Sequence, residues 1–259
     1  MHIDKLFSLK NKVAVVVGGA GKIGLPISEA LAEAGALVYI ASSRQDSYKK
    51  AVESLNNKGL SVRGIKLNMS DENCVKSVIN SIEKEAKTPD ILVNSACSRP
   101  MQKFMDDSID NWDLSMHTNA RGSFIINRLF GNAMAKQGSG SIINISSIYG
   151  MVAPDMSIYE GSDFETEPDY PFIKGGLIML SKYLASYYAK KNVRVNVIAP
   201  GGLYNNQPEP FLSKYIAKVP MNRMAFGDDI KGSAVFLASD ASSYVTGITL
   251  PIDGGWTAI

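Results

Sequence analysis

Short runs of consecutive apolar residues, rich in valine and isoleucine, alternate along this chain with longer stretches in which apolar positions return every three or four residues. The first kind of run suits a strand buried on both faces, the second an amphipathic helix lying against it. Val13 to Val17 is such a run; it ends in glycines and is followed by helical spacing from Ile23 to Ala34. The unit recurs as Leu37 to Ala41 before Tyr48 to Asn57, Val62 to Leu67 before Glu72 to Ala86, and Ile91 to Val93 before a helix around Trp112. Ser141 to Ser146 and Val193 to Ile198 read as further strands, separated by a long helix from Phe172 to Lys191, and Ile248 to Pro251 closes the series. This alternation predicts an α/β chain: a doubly wound three-layer sandwich of about seven parallel strands, with right-handed crossovers placing helices on both faces. Ligands of such folds bind beyond the carboxyl ends of the strands, where strand order reverses. No repeat, low-complexity tract or linker divides the chain, so residues 1–259 read as one domain with two irregular stretches, Asp155 to Asp169 and Gly201 to Gly227.

Composition narrows the function. The 27 basic and 25 acidic residues are spread along the chain and leave a formal charge of +2, which gives no strong field for nucleic acid or an anionic membrane. A small-molecule substrate is the expectation. Cys74 and Cys97 are too few for a disulfide framework and lack zinc spacing, and with two histidines no metal site is expected. Met1 to Lys12 is polar and charged, and no stretch reaches about 18 uninterrupted apolar residues. The chain therefore reads as cytoplasmic and soluble.

Three separated segments carry candidate chemistry. In Gly18-Gly19-Ala20-Gly21-Lys22-Ile23-Gly24 the glycines allow a tight turn and close approach to a pyrophosphate seated on the N-terminus of the next helix. Ser42-Ser43-Arg44 stands at the end of the second strand, where an acid would hold an unphosphorylated ribose and a base would accept a 2′-phosphate. With no acid there, Arg44, together with Lys22, favours NADP over NAD. Tyr170 and Lys174 are four apart and share one helix face, so the ammonium can favour the charged form of a phenol that ordinarily titrates near pH ~10. Such pairs also arise by chance: Tyr187 and Lys191 form a second copy, read as structural because it falls just before the next strand, away from the carboxyl ends.

Leu6 to Gly24, Asp90 to Ala96 (DILVNSA), Trp112 to Asn119, Ser141 to Gly150 (SIINISSIYG), Tyr170 to Lys174, Val193 to Gly202 (VRVNVIAPGG) and Ser239 to Trp256 together resemble the short-chain dehydrogenases/reductases, over essentially the whole chain. The run SYVTGITLPIDGGW resembles the compact single-domain branch. The resemblance implies a Rossmann fold, NADP or NAD as cofactor, and an oxidoreductase that interconverts a carbonyl and a secondary alcohol. It makes Tyr170 the acid/base, Lys174 its activator, Ser147 the substrate-orienting hydroxyl with Ser146 as a competitor, and Asn119 a relay residue. A buried asparagine can instead merely bridge backbone groups. It further implies that the dinucleotide is held by Gly18, Gly21, Lys22, Ile23 and Gly24, by Ser42, Ser43 and Arg44, by Asn68 and Met69, and by Asn94, Ser95 and Ala96. Tyr170, Lys174, Pro200, Gly201, Gly202 and Leu203 complete that set. A homo-oligomer, tetramer or dimer, is implied through the helix carrying Tyr170 and the C-terminal strand.

Some positions depart from the family pattern. Val17 and Lys22 replace the usual threonine and glycine of the first loop, giving a G-x-x-G-x-x-G spacing that also suits the extended branch of epimerases and dehydratases, which normally carry a longer C-terminal substrate domain. Asn94-Ser95-Ala96-Cys97 replaces N-N-A-G, and Cys97 reads either as a pocket residue or as a small packed apolar one. Between Ser147 and Tyr170 the segment Asp155 to Asp169 is longer than usual and has six acids and no base, so it reads as a solvated loop or as a pocket rim in which Tyr159, Glu160 or Asp163 meets a polyhydroxylated substrate. Asn205 is a further candidate for substrate contact, and Gly201 to Gly227, with an amphipathic Phe211 to Val219, reads as a lid. Pro154, Ile158 to Gly161 (IYEG) and Gly201 to Leu212 (GGLYNNQPEPFL) resemble sugar-modifying members linked to nonulosonate and flagellin-glycan biosynthesis. Other readings are a ketoacyl or small-ketone reductase, a non-redox epimerase or dehydratase, and a non-catalytic nucleotide-binding protein.

Overall fold

The computed structural model describes residues 2–163 and 165–259; Met1, in the polar leader, and Phe164, inside the acidic segment, lie outside the described residues. Seven strands, β1 (Val13–Val17), β2 (Leu37–Ser42), β3 (Val62–Lys66), β4 (Ile91–Asn94), β5 (Gly140–Ile145), β6 (Val193–Pro200) and β7 (Thr249–Ile252), form one sheet. Their order is 3-2-1-4-5-6-7 and every pairing is parallel. After β3 the chain returns to pair β4 with the free side of β1, which places the reversal of strand order between these two strands.

Alternation along the strands divides the core. Ala14 and Val16 join Val38 and Ile40 on one face under α2 (Gly24–Glu33), α3 (Gln45–Asn56) and α9 (Asp228–Ala238). Val13, Val15 and Val17 join Tyr39 and Leu92 on the other, under α4 (Glu72–Glu85), α6 (Gly122–Gln137) and α7 (Asp169–Tyr188). The remaining helices are α1 (Ile3–Phe7), α5 (Ile109–Ser115) and α8 (Phe211–Lys218). Pro171 sits in the first turn of α7, where its missing N–H would have had no partner anyway, so the helix can open on Asp169 and carry Tyr170 and Lys174 in its first two turns. Among the described residues no helix is long and apolar enough to cross a membrane.

Strand and helix positions agree with the sequence pattern to within a few residues at each end. Three helices had no expectation, α1, α6 and α9, and α5 runs into α6 through a π turn, Met116–Arg121, that carries Asn119.

Candidate active site

Sterics define the nucleotide end. Gly18 has φ +76°, and a Cβ there would lie 2.7 Å from the backbone nitrogen of Ala96, so β1 and β4 approach too closely at the strand-order reversal for any side chain. A Cβ on Gly24 would lie 2.2 Å from the Gly18 carbonyl oxygen, which brings the start of α2 against the turn. The N-terminus of α2 has no side-chain cap and no acid in its first turn; the Leu25 N–H is given to the Gly21 carbonyl and Pro26 has none, which leaves the backbone around Ile23 and Gly24 to face an anion. Beside it runs a cleft of about 280 Å³. Of the expected cofactor residues, Gly18, Gly21, Ser42, Ser43 and Arg44 line it from one side. Asn68, Met69, Ser95 and Ala96 line it from the other. The glycine cradle, the uncapped helix end and the exposed Arg44 fit a dinucleotide phosphate. Lys22, Ile23, Gly24 and the buried Asn94 lie outside this lining. Cys97 is exposed in the cleft wall with its thiol 3.8 Å from the Ser98 carbonyl, so of its two readings the packed apolar one is corrected.

The catalytic candidates meet at the carboxyl end of β5. Lys174, 5% exposed, donates from Nζ to the Ile145 carbonyl at 2.9 Å, and its Nζ lies 5.5 Å from the centre of the Tyr170 ring. Ser146 is spent on structure, donating from its hydroxyl to the Lys174 carbonyl at 2.8 Å. The neighbouring Ser147 hydroxyl accepts the Tyr149 N–H at 3.2 Å and, among the described residues, donates no hydrogen bond of its own. Asn119 is buried with its amide committed: Oδ1 accepts the Ser98 N–H at 2.8 Å, while Nδ2 donates to the Ser98 carbonyl at 2.8 Å and to Ser115 Oγ at 3.2 Å. Ser115 in turn donates to Asp169, the residue before Tyr170. The asparagine thus ties the loop after β4 to the start of α7. The second pair, Tyr187 and Lys191, stacks at 5.1 Å on the protein surface before β6, far along α7 from Tyr170.

Aromatic hydroxyls enclose the substrate side. Tyr149 and Tyr159 share a hydrogen bond at 3.0 Å, and Tyr159 passes it on to Thr166. Tyr215 accepts the Gly202 N–H and stacks on Trp256 at 4.6 Å. Burial pushes the Tyr215 phenol up to about 12, and burial beside Tyr159 pushes Tyr149 higher still, so both remain neutral hydrogen-bonding groups. Phe211 and Tyr215 of α8 pack in this cluster with Tyr159 and Tyr170, which seats the expected lid on the expected pocket rim. Two lysines fasten them together. Lys218 pairs with Asp155 at 2.5 Å, and Lys214 donates to the Glu160 carbonyl at 2.9 Å while its Nζ lies 3.6 Å from the Glu160 carboxylate.

Tyr159, Glu160 and Asp163 do line a cavity of about 930 Å³ between this segment and the loop after β4. The Glu160 side chain is largely exposed there. Asn205 is exposed on the loop after β6, its backbone N–H donating to Gln207 Oε1 at 2.7 Å, and lies outside the lining of this cavity. Gly201 and Gly202 line a separate cavity of about 130 Å³ under the lid, with Pro200 ending β6 and Leu203 bridging to Ala225. Arg99 and Glu167, which sequence reasoning did not single out, both line the large cavity.

The arrangement has counterparts. Residues 18–257 match the family model described as enoyl-(acyl carrier protein) reductase. The chain is 33% identical over 261 residues to 2-dehydro-3-deoxy-D-gluconate 5-dehydrogenase of Bacillus subtilis, covering 98% of each. It is 30% identical to a 3-oxoacyl-(acyl-carrier-protein) reductase of Aquifex aeolicus, covering 95% of this chain and 98% of that one. The solved structure of a gluconate 5-dehydrogenase from Burkholderia cenocepacia, in complex with NADP and tartrate, superposes with a TM-score of 0.90 at 28% identity over 100% of both chains. Fold, strand order, glycine cradle and these whole-length likenesses agree: the chain belongs to the short-chain dehydrogenase/reductase family, in its compact branch, and is an NAD(P)-dependent oxidoreductase.

Proposed function

We propose that this protein interconverts a carbonyl and a secondary alcohol on a polar, sugar-like substrate, with NADP preferred over NAD. One observation carries the reading most: the buried Lys174 ammonium, held by the Ile145 carbonyl, faces the Tyr170 ring beside a Ser147 hydroxyl free to donate. When bound, the nicotinamide supplies or takes the hydride. Ser147 and Tyr170 donate hydrogen bonds to the carbonyl oxygen, Tyr170 gives its proton as negative charge develops there, and Lys174 stabilises the resulting phenolate. Oxidation reverses the order. Asn119 acts by holding the Ser98 loop, and through Ser115 the residue before Tyr170.

The exposed Arg44 beside Ser42 and Ser43 supports a 2′-phosphate, and no carboxylate pairs with it among the described residues. A hydroxyl-rich aromatic pocket, together with relatives named for gluconate and deoxygluconate, supports the sugar-like substrate. The exposed stripe of Phe172, Met179, Tyr183 and Tyr187 along α7 supports a homo-oligomer. Following reduced-nicotinamide absorbance against keto-sugars, ketoacyl thioesters and small ketones, with NADPH and NADH compared, tests the whole reading. Turnover confined to ketoacyl thioesters, or an NADH preference, would overturn the corresponding part, and product formed without net redox change would point to an epimerase.

A further inference from the structure

Two side chains in the large cavity are not used by the chemistry above. The Arg99 guanidinium stacks over the face of Tyr170, 4.3 Å from the ring centre. Among the described residues no carboxylate lies within ion-pair distance of it, and its side chain makes no hydrogen bond. Stacking of this kind holds the planar fork in place while leaving its N–H donors directed outward. Glu167 is 7% exposed, yet its Oε2 is buried without a hydrogen-bond partner. A buried acceptor left unmade is costly and calls for a ligand group. Both residues line the same cavity, between the loop after β4 and the acidic segment before α7.

Resting on the oxidoreductase reading, the geometry points to a bipartite substrate subsite: Arg99 receives an anionic group, carboxylate or phosphate, of a polyhydroxylated substrate, and Glu167 accepts a hydrogen bond from one of its hydroxyls. Arg99 is well placed for this because it touches the ring whose hydroxyl meets the reacting carbonyl, so an anion on the same short carbon chain comes within its reach. Asp106, Glu160, Asp163 and Glu165 also border the cavity, but the Glu160 carboxylate lies 3.6 Å from Lys214 Nζ, and exposed charges such as Asp106 and Asp163 are screened over about 8 Å in physiological salt. The bound anion therefore meets the exposed guanidinium over the Tyr170 ring, and the hydroxylated chain runs past the buried Glu167 and Tyr159.

Calorimetric titration of the NADP-loaded protein with D-gluconate, sorbitol 6-phosphate and the uncharged sorbitol tests this. At least one anionic probe is expected to bind about tenfold or more tightly than sorbitol, and whichever does identifies the anion. Arg99→Met, at an exposed position, removes that margin without moving the thermal midpoint, Arg99→Lys keeps part of it, and Lys103→Met, at the other lining cation, leaves it. Glu167→Gln weakens all three probes alike. Equal binding of charged and uncharged probes by the unaltered protein, or a margin that survives Arg99→Met or follows Lys103, overturns the assignment. Failure of the oxidoreductase reading shows itself separately, as an Arg99-dependent binding margin in a protein that never consumes reduced nicotinamide.

Discussion

Around Gly18 the chain has almost no conformational freedom, whereas around Tyr159 it is held by side chains reaching between loops. In the nucleotide half, backbone meets backbone: Gly18 against Ala96, Gly24 against Gly18, both closer than any Cβ permits. The substrate half rests on phenol-to-phenol hydrogen bonds and on lysines of α8 grasping the acidic segment. A backbone-defined site accepts one ligand and tolerates little change, while a side-chain-defined one can be altered residue by residue without disturbing the sheet.

Predictions follow that contrast, beginning with the residue where the halves meet. Tyr170→Phe should lower turnover by about 10²–10⁴-fold with dinucleotide affinity retained, read by stopped-flow absorbance and by a separate binding titration. Near-wild-type turnover would remove Tyr170 from the chemistry. In the nucleotide half, Gly24→Ala should destabilise the fold by about 1–3 kcal/mol, measured as a lowered urea midpoint, since the added methyl meets a carbonyl that cannot retreat. Arg44→Ala should cut the NADP-over-NAD ratio of kcat/KM by about tenfold, the weight of a hydrogen-bonded charge pair, and leave the substrate KM alone. In the substrate half, Lys214→Ala with Lys218→Ala should raise the substrate KM less than about fivefold, because exposed ion pairs contribute little, and leave NADP affinity unchanged. A shift in NADP affinity instead would erase the distinction between the halves.

Acid should act on two carboxylates around the substrate side. Asp155 is held at about 2 by Lys218 and by the Ser157 hydroxyl and N–H, and Asp229 at about 2 by Arg223 and the Phe226 N–H. Their folded values lie below the unfolded value of about 3.9, so their stabilisation is present above that pH and is lost as pH falls toward 2. Chemical denaturation at stepped pH should show the loss in that window, and Arg223→Ala should remove part of it.

The sheet was readable because its strands are buried on both faces and therefore unbroken apolar runs. The helix α6 was not, since buried Ile125, Ile126, Phe130 and Met134 are interspersed with buried Ser123, Asn127 and Gly131, and because it continues α5 through the π turn without a capping signal. At the site, motif residues announced themselves by spacing along the chain. Ser147 could be separated from Ser146 only by seeing which hydroxyl the fold consumes. Arg99 carries no local signature, and Glu167 is only one of six acids in its segment: their meeting depends on two loops brought together across the sheet edge. Glu160 drew attention through its acidic neighbours, and the lysine that occupies it lies 54 residues away.

That lysine has a further consequence for traffic in and out of the pocket. With Lys214 bound to the Glu160 and Ser157 carbonyls and Lys218 to Asp155, any hinge between α8 and the acidic segment would open only by breaking these ties. Such a hinge loosens in salt, and exchange of substrate with the surrounding solution should quicken as ionic strength rises.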